Sequence, residues 1–217
     1  MRTSRFTGFT RFTGFVSRAV AVAAAALMSL PQSAAVAESP TAVSRAVPPA
    51  SAPAAENPGI RYTTSFRNAA VYEVRAAVGG KCLDIRGGGR PQAGAVIQTF
   101  DCKNELHQRF HFQSLGNGTF TIGAFGVYCL GAQGGGPTPG APVVLTTGSG
   151  CSTFTWNNRG TSANPDRWEF VEVTTGQCVR DTGRRSQAVL GACGGTAGPG
   201  PEAWDPRFKE YFNYDQF

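Results

Sequence analysis

An all-β fold of three cysteine-stapled units is predicted by three features of this 217-residue sequence. Its six cysteines recur in pairs, the first of each pair at steps of 47 and 49 residues. Short β-branched and aromatic runs alternate with Gly, Pro and Asn clusters. No stretch carries the apolar periodicity of an amphipathic helix of useful length.

The first segment stands apart. MRTSRFTGFTRFTGFVSR carries Arg2, Arg5, Arg11 and Arg18 and no acid. The apolar run AVAVAAAALMSL (19–30) is shorter than the roughly 20 residues that span a bilayer. Ala35-Val36-Ala37 follows as a small-x-small cleavage site. That order reads as a secretory signal peptide over 1–37, cleaved near Ala37, so the chain is expected to be secreted. An uncleaved anchor is the other reading, and the short Ala-rich run speaks against it. Without the leader the charge is 16 basic minus 14 acidic residues, or +2. No basic stripe argues for nucleic acid, and no membrane span is expected.

Residues 38–58 are Pro, Ala and Ser with almost no large apolar side chain. Such a segment buries too little surface to offset its ordering entropy, so 38–69 is expected to be a disordered linker and lead-in. From about residue 70 the strand-like runs are VYEVRA, AVIQTF, GTFTIGA, APVVLTT, RWEFVEV and QAVLGA. Asn117-Gly118-Thr119 fits a glycosylation acceptor, but it lies where a hairpin turn belongs, and the Asn-Gly turn explains it better.

Each unit holds a first cysteine, a Gly-rich turn, a β run, a second cysteine and then an aromatic: Phe110, Trp156 or Trp204. An even cysteine count in an exported chain reads as disulfides. Equivalent units should close in equivalent ways, which favours Cys82–Cys102, Cys129–Cys151 and Cys178–Cys193. Each bridge closes a loop worth about 3 kcal/mol in the chain-entropy model. With no CxxC pair and only His107 and His111 as imidazoles, no metal or other cofactor is expected. Units of about 45 residues cannot each hold a core, so the three must share one in a closed pseudo-threefold structure.

The string GKCLDIRGGG…GAVIQTFDC…HQRF resembles the repeat of the ricin B-type lectin family. That pattern runs Cys-Leu-Asp, a Gly-containing turn, an apolar-Gln-x-aromatic strand, a second Cys and Gln-x-Trp. The resemblance covers about residues 70–208 and is specific only in the first unit. It implies a β-trefoil over 70–217, the stretch DPRFKEYFNYDQF included. That stretch closes the barrel, packs on the N-terminal approach, or docks a partner. One aromatic per repeat implies core packing near the threefold axis.

Carried over residue by residue, the resemblance implies a carbohydrate site of Asp84, Gln98, Phe100, His107 and Gln108. The chemistry fits. A carboxylate accepts from two adjacent sugar hydroxyls, an amide both donates and accepts, and a ring stacks on the C–H face. Gln98 and Phe100, two apart on a strand, share one face. His107 stands where the family has Asn; it is either a pH-sensitive donor or a solvated surface residue. Asp84 alone also suits an Asx-turn over the glycines that follow. The second repeat has Gly131 at the acid position, with Val144 and Thr146 on its strand. The third has Arg180 there, Asp181 one residue late, and Val189 and Gly191 on its strand. Both look like scaffold copies.

The expected function is a lectin with one working site, for galactose-type sugars or for cell-surface or polymeric glycans. No catalytic residue is expected. Glu169 and Glu172 are odd-spaced on a strand, and no nucleophile motif is present. A protein-binding trefoil, such as a protease inhibitor or a toxin targeting subunit, is the alternative. The oligomeric state is not readable.

Overall fold

The computed structural model describes residues 57–63, 68–88, 90–194 and 200–214. All of these belong to one unit, Pro48–Phe217. The leader and most of the linker read from sequence lie outside the described residues.

Six strands close a ring. They are β1 (Asn68–Ala76), β4 (Phe110–Gly116), β5 (Thr119–Ala124), β8 (Phe154–Asn158), β9 (Trp168–Glu172) and β12 (Ala203–Asn213). Each pairs antiparallel with the next in that order, and β12 returns to β1. A ring leaves no open sheet edge among its own strands. Three hairpins sit against it: β2 (Cys82–Ile85) with β3 (Ile97–Phe100), β6 (Tyr128–Ala132) with β7 (Val143–Thr146), and β10 (Cys178–Arg180) with β11 (Val189–Gly191). The hairpins are bonded to one another in a cycle. Leu145 N–H donates to the Ala95 carbonyl, Val143 N–H to that of Ala188, and Ala188 N–H to that of Ile97. This is the all-β trefoil that the repeat and the resemblance imply.

The shared core explains why three short units suffice. Leu83, Leu130 and Val179, each just after a first cysteine, are fully buried. Phe110, Trp156 and Trp204 are 0%, 3% and 0% exposed, so the recurring aromatics are core residues. The Trp204 indole N–H donates to the Val179 carbonyl at 2.9 Å, which satisfies its one polar atom. The bridges are Cys82–Cys102, Cys129–Cys151 and Cys178–Cys193, the pairing favoured by the repeat. Asn117 and Gly118 have φ of 52° and 71° and turn β4 into β5, the positive-φ pair that a tight hairpin requires.

Two segments do more than their composition announces. The aromatic C-terminal stretch is mostly strand: β12 pairs with β1 from Asn68↔Asn213 to Ala76↔Trp204, and so closes the barrel. Residues 57–63, the end of the lead-in, pack onto it. Ile60 joins the core, Thr63 N–H donates to the Phe112 carbonyl at 2.7 Å, and the Trp156 indole N–H donates to Tyr62 Oη at 2.8 Å.

Candidate functional site

The first hairpin fixes the site geometry. Its register places Asp84 directly opposite Gln98, and Cys82 opposite Phe100. Directly opposed residues project from the same face of the pair. Gln98 Nε2 donates to Asp84 Oδ1 at 2.7 Å. A cleft of about 300 Å³ opens beside them, lined by Asp84, Gly87, Gly88, Gln98, Phe100, Lys103 and His107. Four of the five residues expected from sequence therefore line one cleft.

The fifth does not. Gln108 is fully buried. Its Nε2 donates to Asp84 Oδ2 at 2.9 Å and to the Asp101 carbonyl at 2.8 Å, and its Oε1 accepts from Lys103 N–H at 2.7 Å. Both amide protons are used, so Gln108 positions the carboxylate from beneath.

His107 sits between two acids. Its Nε2 lies 3.3 Å from Asp84 Oδ2 and its Nδ1 3.4 Å from Glu105 Oε2. A carboxylate has about four acceptor positions. Gln98 and Gln108 occupy two on Asp84, and the His107 ring stands against Oδ2 without a hydrogen bond. Gln98 Oε1 accepts from Arg86 Nε at 2.9 Å, so Gln98 keeps about one donor and one acceptor for a ligand. None of Asp84's hydrogen bonds among the described residues goes to the Gly87–Gly88 turn, which is not the pattern of an Asx-turn.

The acid has no counterpart in the other repeats, although a cleft of about 230 Å³ lined by Ala132, Gly135, Ser149, Gly150 and Ser152 opens beside the second hairpin. A Cβ on Gly131 would lie 2.2 Å from the Gly150 carbonyl oxygen and 2.6 Å from Thr146 Cγ2. No side chain fits there, acidic or otherwise. We expect Gly131→Ala to lower stability by about 1–3 kcal/mol through overpacking, seen as a lower denaturation midpoint, with sugar binding unchanged. In the third repeat the Arg180 stem covers Gly191, its Cδ 2.7 Å from where a Cβ would stand. Asp181 turns away, accepting from Thr99 Oγ1 at 2.6 Å and from Gly183 N–H at 2.7 Å.

That contact brings in two residues that sequence reasoning missed. The loop after β10 lies against β3, with Arg185 N–H donating to the Thr99 carbonyl at 2.7 Å. It places Arg184 and Arg185 beside Phe100. Only the Arg-Arg pair after a glycine turn hinted at them. Arg184 pairs with Asp101, which Lys81 also contacts at 2.8 Å. Arg184 and Lys81 hold the Asp101 carboxyl well below the usual carboxylate range.

A larger cleft, about 910 Å³, lies on the other side of His107, lined among others by Leu106, Phe125, Val127, Tyr128, Phe212 and Tyr214. The larger cleft also carries Asn104 and Glu105; what sets the smaller one apart is the hydrogen-bonded Asp84–Gln98 pair on its wall. Two acid-and-cysteine clusters, Glu73 with Cys82 and Cys102 and Glu169 with Cys178 and Cys193, are not thiolate metal sites, because their sulfurs are joined in disulfides.

Comparisons with known proteins agree with the fold. Residues 61–146 match the family model described as ricin-type beta-trefoil lectin domain-like. The designed three-fold symmetric protein ThreeFoil superposes with a TM-score of 0.55 at 17% identity, over 63% of this chain and 97% of its own. The ricin B-like lectin of Macrolepiota procera, solved in complex with lactose, gives 0.51 at 17% identity, over 69% and 100%. The Rhizoctonia solani agglutinin gives 0.52 at 14% identity, over 65% and 96%. No curated protein matches the chain by sequence.

Proposed function

From the match of residues 61–146 to the ricin-type beta-trefoil lectin domain-like model, we propose that the chain is a secreted carbohydrate-binding protein whose one working site is the first-repeat cleft. The ricin B-like lectin fold itself points to carbohydrate binding. The location is supported by one observation: Asp84 and Gln98 face each other on an open cleft, while the matching acid positions in the other repeats are Gly131, where Gly150 leaves no room for a side chain, and Arg180, whose stem covers Gly191. Phe100 and His107 complete the contact surface, and Gln108 holds Asp84 in place. Galactose-type sugars are the favoured ligands, by the family resemblance and by the lactose in the Macrolepiota lectin.

The chemistry is that of binding. Glu169 takes hydrogen bonds from Asn157 and from Gly194 N–H. Glu172 takes them from Thr175 N–H and Oγ1. Each carboxylate holds local structure through these bonds. A single shallow site binds weakly, so useful avidity calls for a multivalent surface.

Retention on a panel of immobilised sugars tests the reading. We expect retention of the oxidised chain on galactose-type columns, with elution by the free sugar. A folded chain that no sugar column retains would sink the lectin reading and favour a protein partner.

A further inference from the structure

We propose that the first-repeat cleft takes an acidic saccharide, one bearing a sulfate or carboxylate group, and that Lys103 and Arg185 hold that group. This rests on the carbohydrate reading above and narrows its substrate class.

Phe100 is not the bare stacking ring that its sequence position suggests. It is half-buried, with the Arg185 guanidinium 5.0 Å, the Lys103 ammonium 5.1 Å and the Arg184 guanidinium 5.6 Å from its centroid. These cations come from two repeats. Lys103 follows the second cysteine of the first. Arg184 and Arg185 ride on the third repeat's loop, fastened to β3 through Thr99 and Asp181. Arg185 has φ of 63°, a conformation uncommon for a residue with a side chain. It is held there by its N–H bond to Thr99 and by Arg86 Nη2 donating to its carbonyl at 3.2 Å. The fold thus over-determines the placement of an exposed arginine beside Phe100, which lines the cleft.

The local charges do not cancel. Arg184 is answered by Asp101. Arg86 spends its Nε on Gln98 and an Nη on Arg185. Of the nearby acids, Asp84 accepts from Gln98 and Gln108 and lies 3.3 Å from His107, and Glu105 lies 3.4 Å from His107. Among the described residues no carboxylate lies within ion-pair distance of Lys103 or Arg185. Two like charges meet at one ring with no counter-charge, and a bound anion relieves their repulsion. A neutral sugar makes no use of them. A sulfate or carboxylate suits both a guanidinium fork and an ammonium point charge. Asp84 and Gln98 then take sugar hydroxyls at the floor of the cleft while the cations take the acidic group at its rim.

The test is a calorimetric titration of the oxidised chain with galactose, galactose 6-sulfate and galacturonic acid, at low and at physiological salt. An Arg185→Gln, Lys103→Gln double variant and Asp84→Asn run alongside. Both substituted cations are exposed, so the double variant is expected to fold, with circular dichroism as the control. We expect at least one acidic sugar to bind about five- to tenfold tighter than galactose at low salt, the gain shrinking as salt rises. The double variant should bind acidic and neutral sugars alike. The arm that gains identifies the group as sulfate or carboxylate. Galactose bound as tightly as both acidic forms, or a gain that survives in the double variant, overturns the acidic-sugar inference and leaves the lectin reading standing. No binding of any sugar, or binding that Asp84→Asn leaves intact, overturns the underlying site instead.

Discussion

Asp84→Asn is expected to abolish retention on galactose-type columns while the chain stays folded. The carboxylate accepts from Gln98 on one oxygen and from Gln108 on the other, with His107 3.3 Å away. Asparagine offers one acceptor oxygen and turns an amide toward side chains that already donate. A hydrogen bond to a charged group contributes about 1.5–3 kcal/mol, so losing it weakens binding by about 10- to 100-fold. A weak monovalent site then drops below detection. The cost to the fold is about 1–3 kcal/mol for the amide protons left without a full acceptor. Three bridges at about 3 kcal/mol each leave room for that loss. Thermal unfolding of the variant separates the two effects. Unchanged retention would make Asp84 a structural pin of the hairpin and nothing more.

Stability is expected to fall by about 3 kcal/mol as pH drops from 6.5 to 4. His111 is fully buried on β4, and burial pushes its imidazole down to about 4. The unfolded chain takes the proton near pH 6.5. Between those values the unfolded state binds more protons, so acid favours unfolding; above pH 6.5 the contribution is complete. Asp101 acts in a separate window. Its folded carboxyl is depressed by Arg184 and Lys81, so its contribution is lost only as pH falls below the ordinary carboxylate range. Urea unfolding at a series of pH values measures the slope, and His111→Gln should flatten it between 6.5 and 4. A slope that the substitution leaves unchanged would place the acid sensitivity elsewhere.

Much of this molecule is legible before any coordinates. The cysteine rhythm, the turn glycines and the aromatic that ends each unit are local patterns, and each reports a local requirement. They carried the fold class, the bridge pairing and the Asp84–Gln98 pair, which share one hairpin. What escaped depends on distance along the chain. Nothing local says that Asn68 will face Asn213, or that Tyr62 will receive the Trp156 indole. Arg184 and Arg185 carry no local signal of their place, because only the packed trefoil lays their loop on the first repeat. Gln108 meets the other expected residues only through Asp84, from beneath it and not from the cleft. Sequence register places a residue beside its neighbours but does not say which side of a carboxylate it occupies.

The β1–β12 pairing also sets an order of events during folding. The other five junctions of the ring join strands nearer in sequence; this one joins residues 68–76 to residues 203–213. Loop-closure entropy must be met before so distant a contact gives anything back, and such contacts slow folding. During synthesis the first strand waits, unpaired on that side, until residue 213 has emerged. The barrel therefore closes late, once β12 is available to pair with β1.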